Sequence, residues 1–499
     1  MLSKKFKKSI ILILLFIAVF IISLNNYFYK YFPDVTVSEL TFFITTAFDG
    51  GAKGTSSDLL KVFIKKCIVK PIFITFIVFY LIDIFYFLFS IIEKVFLFLN
   101  TRICLSSKKI KNITYVFKRA KNKIQKYYFC ILILLSLASI SCCIGHVVIT
   151  LSKSKSYSNF YEKEFLFSKK ENIIFPKNKK NLIVIHIESL EKTFENKDFF
   201  GSSLIPDMEK FEKEGVQFSN YQNGFATSFT EGSLIALFTG TPCNILSAAG
   251  LNVLGNDVTI FNNIYSLGRI LKDNGYKTYS IQSSDSSFAG AKKFFVIHGI
   301  DEIIDANTLK LGILKGVEYD GWGFRDKELF TAVKDKIENI DKNITYFMYI
   351  QTVDTHSRAL PNVDVKKFEN PYYNVIYNTN LVISDFIDWF KNKPEYKNTV
   401  IVLVGDHLRM GRDFKMPNER QIYNLFLNSV VKPKNLQRTF SQIDLFPSVL
   451  EAIGVKIVGH KLGLGTSIFS NQKTLSERFS VKKLNNTLSK RNKLYESLW

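Results

Sequence analysis

Cysteine is sparse in this 499-residue chain. Five of the six copies fall in the first 143 residues, which leaves Cys243 alone in the rest. A single thiol closes no intramolecular disulfide, so that long part must fold on its own apolar core, which a unit of roughly 300 residues can supply. Acidic residues are missing from two stretches: residues 1–9 carry four Lys, and residues 94–126 carry ten Lys or Arg, with no Asp or Glu in either. Nucleic-acid-binding motifs, internal repeats and low-complexity blocks are absent too. What is plentiful excludes disorder as the main state: 47% of residues are hydrophobic and 15% aromatic, with 47 Phe and 23 Tyr.

Three apolar runs lie in residues 1–151. Ile10–Leu24 has only Ser23 as a polar residue and continues into Tyr27, Phe28, Tyr29, Tyr31 and Phe32, an interfacial aromatic belt. Between Lys70 and Glu93 stand 22 residues with one charge, Asp83, and Tyr127–Leu151 is a run of 25 residues with His146 as its one titratable imidazole. A spanning helix needs roughly 20 apolar residues, so three spans are expected. No small-residue cleavage site follows Leu24, which favours an anchor over a removed leader. The acid-free loops 1–9 and 94–126 belong in the cytoplasm, whereas residues 25–69 are nearly balanced, with five Lys and four acids. Everything after Leu151 is then outside. Much of the net charge of +22 is topology signal and attraction to anionic lipid, not a nucleic-acid surface. Asp83 within a span is either a functional group or one that pairs or reaches out of the bilayer.

Residues 152–180 read as a Ser/Lys-rich tether. From Asn181 to about residue 470, short β-rich runs alternate with amphipathic stretches, which predicts an α/β domain with a largely parallel sheet. The strand candidates are residues 182–187, 276–282, 344–351 and 399–404, and helical patterns cover 206–215 and 378–392. The basic segment 471–499 reads as a peripheral helix or a loose end.

Three of these strands stop at reactive side chains: Glu188 after the first, Asp354 and His356 after the third, Asp406 and His407 after the fourth. Ligands of open α/β sheets bind beyond the carboxyl ends of strands. Carboxylates with one imidazole suit Mn²⁺ or Mg²⁺ better than a thiolate-seeking metal. The segment 223–244, rich in Thr, Ser and Gly, turns into a small-residue helical pattern at Glu231 and puts Thr230 at the expected N-cap. A hydroxyl there serves either as a plain cap or, near a phosphate and a cation, as a nucleophile.

Six motifs in order carry a resemblance: NLIVIHIESLEKTF (181–194), the loop ending in Thr230, SSFAGAKKFFVIHGIDEI (286–303), EYDGWGFRDKELF (318–330), VDTHSR (353–358) and NTVIVLVGDHLRM (398–410). Over residues 181–455 the chain resembles the sulfatase-like branch of the alkaline phosphatase superfamily. Within it the chain is similar to membrane phosphoglycerol transferases that decorate periplasmic glucans and, more distantly, to lipoteichoic acid synthases. The resemblance implies one divalent cation, Mn²⁺ or Mg²⁺, on Glu188, Thr230, Asp406 and His407. It also implies Thr230 as nucleophile, His356 as phosphoryl contact or proton carrier, and His298 and Trp322 as substrate-side residues. The implied donor is phosphatidylglycerol, the implied acceptor a glycan or glycerol hydroxyl, and the implied place the bacterial inner membrane with the catalytic domain periplasmic.

Departures narrow this. The Cys-x-Pro-x-Arg signature of sulfatases proper is missing, which disfavours sulfate-ester hydrolysis. Phe288-Ala289-Gly290 stands where the lipoteichoic acid synthases carry a Trp and an Arg, and Ser357-Arg358 follows His356 where relatives often have a second His or a Pro. Phosphoethanolamine transfer, phosphodiester hydrolysis and a catalytically silent glycan-binding scaffold are the rival readings. A lone cysteine after Leu151 disfavours the first, and the presence of all four cation-site residues disfavours the last.

Overall fold

The computed structural model describes residues 4–31, 63–99, 123–124, 127–141, 156–244, 260–318, 323–356, 363–410 and 415–499. They fall in two compact units. In the first, helices span Lys4–Tyr31 and Lys70–Leu99, and a shorter apolar helix spans Tyr127–Ser141. Leu15, Phe79 and Leu132, one from each, are buried together. Among the described residues one helix, Lys8–Tyr27, is long and apolar enough to cross a membrane.

The second unit is built on a seven-stranded sheet: β1 (Asn181–Ile187), β2 (Gly215–Val216), β3 (Lys277–Gln282), β4 (Glu302–Ile304), β5 (Tyr346–Gln351), β6 (Thr399–Gly405) and β7 (Asn424–Leu427), in the order β2-β7-β6-β1-β5-β3-β4. The five strands from β6 to β4 are parallel, and β7 and β2 are added antiparallel at one edge. The sheet is therefore mixed. The four strands expected from sequence form its parallel centre; β2, β4 and β7 have two to four residues each, too short for a periodic signal.

Every residue of β1, β5 and β6 is buried. Such strands read as continuous apolar runs because helices cover both faces. Alternate side chains feed two cores. Leu182, Val184, Val400, Val402 and Val404 pack under α1 (Thr230–Thr239) and α7 (Gln442–Ala452). Ile183, Ile185, Ile187, Ile401 and Leu403 pack against α5 (Asp326–Asn339) and α6 (Pro371–Lys391). The remaining helices used below are α2 (Leu267–Asp273), α3 (Ala291–Ile297) and α4 (Ala306–Leu311).

The tether and the tail, the latter read as a peripheral helix or a loose end, both belong to this unit from residue 156 on. Ile173–Ile174 pairs antiparallel with Lys456–Ile457, and the buried Tyr161 ring lies 4.9 Å from that of Tyr495. The tail forms helices Leu475–Arg478, Val481–Leu488 and Lys493–Glu496, with Leu475, Leu488, Tyr495 and Leu498 buried. Their anchors are single apolar residues in polar surroundings, and composition averages such residues away.

Candidate active site and metal centre

Parallel strands end on one edge of a sheet, and here that edge collects the acid, the hydroxyl and the imidazole. Glu188 and Ser189 follow β1, and Asp406 and His407 follow β6, its direct neighbour. The approach is close because β6 ends in glycine: a Cβ at Gly405 would stand 2.0 Å from the Leu190 carbonyl oxygen. Ser189 adopts a left-handed backbone, φ 49°, which turns its N–H onto Asp406 Oδ1 at 2.7 Å while its hydroxyl donates to Glu188 Oε1 at 2.7 Å. Asp406 Oδ1 also accepts from the His407 N–H at 2.7 Å. His407 Nδ1 donates to the Leu408 carbonyl at 2.9 Å, which fixes the tautomer and leaves Nε2 as the bare nitrogen.

Thr230 arrives on α1. The sequence placed it at the N-cap; in the structure Phe229 holds that position with extended backbone, and Thr230 is the first helical residue. The reason lies in its side chain. Instead of capping the helix, the hydroxyl donates to Glu188 Oε2 at 3.0 Å. Two contacts set the helix down. A Cβ at Gly232 would meet the Ala226 carbonyl oxygen at 2.4 Å, so glycine lets the preceding loop fold tightly over the first turn. The buried His186 bridges β1 to α1: Nδ1 lies 2.9 Å from Gln351 Oε1, which can only accept, so Nε2 accepts from the Ser233 hydroxyl at 2.9 Å. Gln442 ties the loop to the acid, since its Nε2 donates to the Asp406 carbonyl at 2.9 Å and its Oε1 accepts from the Thr227 hydroxyl at 2.7 Å.

Whether these residues suit a cation is answered by two orphaned atoms. Asp406 Oδ2 and His407 Nε2 are buried and make no hydrogen bond. Nε2 lies 3.5 Å from Asp406 Oδ2 and 3.8 Å from Glu188 Oε1, and ligand atoms of all three residues lie within 4.8 Å of one another. Separations of that size are expected of ligands held about 2.1–2.3 Å from one shared centre. The electrostatics agree. Burial and the negative Glu188 push Asp406 up to about 8, against which His407 and two backbone N–H groups pull weakly. Burial also opposes the charge on Glu188, but His407, His356 and the hydroxyls of Ser189 and Thr230 outweigh it and hold that carboxyl below its usual range. Burial works against a proton on His407, and Asp406 and Glu188 override it and raise its pKa. Two buried carboxylates and an imidazole thus share protons that a divalent cation replaces; the residues fit one.

The other expected residues divide. His356 closes the turn after β5, its N–H donating to the Val353 carbonyl at 3.0 Å, and its charge reaches Glu188. Trp322 lies outside the described residues. His298 does not join the cluster. It ends α3, its Nε2 donates to the Ile260 carbonyl at 2.8 Å, and its ring packs 4.2 Å from Phe294. Neighbouring Gly299 accepts from Thr278 at the amino end of β3, roughly 13 Å along the strand from the edge that holds the site. Its burial, which lowers the pKa to about 4, marks a core histidine.

Sequence reasoning gave no role to His186, Ser189 or Gln442. His186 stood inside a strand run, where its face was invisible. Ser189 was visible beside Glu188, but nothing in the sequence signals its positive φ.

The fold is thus a mixed α/β sheet that carries a cation-competent cluster at its carboxyl edge. Residues 180–455, more than half of the chain, match the family model of the sulfatases, and the chain belongs to that family. Phosphoglycerol transferase I of Citrobacter koseri is 29% identical over 339 residues, which cover 65% of this chain and 44% of that protein. Phosphoglycerol transferase I of Salmonella paratyphi B is 30% identical over 317 residues, 61% of this chain and 41% of that one. The chain thus spans less than half the length of these relatives. A crystal structure of an alkaline phosphatase superfamily protein from Vibrio parahaemolyticus superposes with a TM-score of 0.50 at 18% identity, covering 66% of this chain and 79% of that one, a likeness of fold.

Proposed function

We propose that the protein transfers a phosphoglycerol group from phosphatidylglycerol to a hydroxyl of a glycan or of glycerol, through a covalent intermediate on Thr230. The observation that carries this reading is the Thr230 hydroxyl, 3.0 Å from Glu188, at the head of a buried helix and beside the orphaned Asp406 and His407 atoms. The names of the relatives favour the phosphoglycerol group. Cys243, buried just beyond the far end of α1, is not a sulfatase nucleophile in waiting.

Glu188, Thr230, Asp406 and His407 would hold one cation, Mn²⁺ or Mg²⁺; when bound it offsets phosphoryl charge and favours the ionised hydroxyl. The chain's own groups do the rest. The first N–H groups of α1 face an anionic phosphoryl group. The Thr230 hydroxyl releases its proton to solvent, Oγ1 forms a bond to phosphorus as the bond to the diacylglycerol oxygen breaks, and that oxygen leaves with a proton given up by His356. The acceptor hydroxyl then bonds to phosphorus, gives up its proton to the same imidazole, and the Thr230 oxygen departs and is reprotonated. Trp322 is assigned to the substrate side.

Helices Lys4–Tyr31 and Lys70–Leu99 and the run Tyr127–Leu151 are read as three spans of a bacterial inner membrane, with the catalytic unit on the periplasmic side. The acid-free basic loops support that orientation.

Thr230→Ala decides the chemistry. Diacylglycerol release from fluorescent phosphatidylglycerol is expected to fall by about a thousandfold or more while the domain stays folded. Turnover retained by the purified variant overturns the nucleophile. Mass spectrometry of the released and modified products separates transfer from hydrolysis, and phosphatidylethanolamine as donor tests the rival head group.

A further inference from the structure

Leu311 is 84% exposed, more than any other large apolar side chain among the described residues, and Ile313 and Val317 are 45% and 39% exposed. This exposure is built, not loose. Leu309 and Leu314 are buried with Ala306, Phe324 and Ala332, and the Leu314 N–H donates to the Leu309 carbonyl at 2.9 Å. Asp305 caps α4 by accepting from the N–H groups of Asn307 and Thr308, both at 3.1 Å. With the anchors on either side fixed, the intervening turn holds Leu311 and Ile313 outward. Lys310 and Lys315 are exposed beside them, and residues 306–317 contain no Asp or Glu.

Position gives the turn a meaning. β4 pairs in parallel with β3, Ile304 opposite Ile281, so Asp305 and α4 emerge at the carboxyl edge of the sheet, the edge that carries Glu188, Thr230, Asp406 and His407. β4 stands three strands from β1 in the order β1-β5-β3-β4, roughly 15 Å at about 4.8 Å per strand.

We propose that residues 310–317 form a docking tip for an anionic phospholipid surface. Leu311, Ile313 and Val317 enter the boundary of the acyl region, and Lys310 and Lys315 meet lipid phosphates. Apolar side chains flanked by cations are the pattern of interfacial binding, and Lys310 and Lys315 against the one adjoining acid, the exposed Glu318, leave the tip net positive toward a negative leaflet. The inference rests on the lipid-donor reading above and adds the surface that brings the site to the layer holding the donor.

The test uses the full chain in vesicles. Leu311→Trp, corrected for the wild-type Trp signal, is measured in phosphatidylglycerol–phosphatidylcholine vesicles carrying brominated acyl chains, with Asn343→Trp at the opposite edge of the sheet as control. Quenching at position 311, none at 343, and weaker quenching in phosphatidylcholine alone is the expected result. No quenching at 311 overturns the tip, whatever the activity, and assigns the patch to another partner. In parallel, the combined Leu311→Ser, Ile313→Ser and Val317→Ser variant is expected to release diacylglycerol from bilayer phosphatidylglycerol about fivefold or more slowly. On a water-soluble short-chain phosphatidylglycerol it should match the wild type. Equal loss on both donors shows that the turn shapes the site and overturns docking. A wild type that turns over neither donor removes the donor reading, and the quenching then decides docking by itself.

Discussion

Glu188, Asp406 and His407 are equally buried, yet burial wins only at Asp406. Its folded pKa of about 8 stands above the ordinary 3.8, so the metal-free fold prefers the protonated acid. The sign follows by linkage: that preference is fully in force below the unfolded pKa and becomes a penalty that grows as pH rises from about 4 to about 8. Asp406 therefore makes the metal-free protein less stable at pH 8 than at pH 5, and a cation that binds the ionised acid removes the penalty. The thermal midpoint should rise more on adding Mn²⁺ at pH 8 than at pH 6. Asp406→Asn should reduce the metal-free pH slope, the buried Glu231 and Asp444 keeping the rest of it, and abolish the Mn²⁺ shift. An Asn variant still stabilised by Mn²⁺ as the wild type is would place the cation elsewhere. His298 titrates with the opposite sign. Burial lowers it to about 4, so the unfolded chain takes up its proton first, and stability is lost as pH falls from 6.5 toward 4, by up to about 3 kcal/mol. His298→Gln should cost about 1–2 kcal/mol at pH 7 through the Ile260 contact, reduce the acid loss, and leave KM for the donor unchanged. A raised KM with intact stability would return His298 to the substrate side.

Among the elements, two glycines hold the acid and the hydroxyl in register. At Gly405 a methyl group would drive into the Leu190 backbone at 2.0 Å, and at Gly232 into the Ala226 carbonyl at 2.4 Å; neither obstacle is a movable side-chain end. Gly405→Ala should cost about 3 kcal/mol or more in chemical unfolding, because β1 and β6 must separate at the ends that carry Glu188 and Asp406. Gly232→Ala should displace the first turn of α1 and lower turnover by at least about a hundredfold, with a smaller loss of stability, because Thr230 loses its place by Glu188. This is also where sequence stops being readable. The four parallel strands were visible because burial on both faces leaves long apolar runs. Glu188, Thr230, Asp406 and His407 were visible because each stands where such a run or a helical pattern begins or ends. Gly232 and Gly405 were seen only as small residues, since their function is a distance to a carbonyl more than 170 residues away for one and in the adjoining loop for the other. The place of His298 was hidden for a related reason: a motif match carries residue type, while its position at the amino end of β3 depends on the packing of α3.

For the catalytic unit as a whole, the tail closes the fold at the far end of the helix that carries Thr230. Tyr495 is buried, its hydroxyl donates to the Pro242 carbonyl at 3.0 Å and accepts from the Asn244 N–H at 2.7 Å, and Asn244 Nδ2 donates to the Leu488 carbonyl at 2.8 Å. Those partners lie just past Thr239, the last residue of α1. Upstream, Asn492 Nδ2 donates to Glu162 at 2.6 Å and Tyr161 packs on Tyr495, so the first residues of this unit and the last ones clasp one another over the same core. Removing residues 475–499 uncovers Tyr161 and Phe261 and takes away the Tyr495 hydroxyl to which the Asn244 N–H donates, a loss comparable with the ~5–15 kcal/mol by which domains are stable. Truncation before Leu475 should therefore yield protein that does not unfold cooperatively. Tyr495→Phe keeps the ring, removes both hydroxyl contacts, and should cost about 1–3 kcal/mol. Because α1 is braced from that end, the Tyr495→Phe variant should also bind Mn²⁺ more weakly, though no atom of Tyr495 belongs to the cation cluster. Isothermal titration of Mn²⁺ into this variant and into Val481→Ser, an exposed tail position, measures the link. Equal affinity in the two would confine the tail to stability alone.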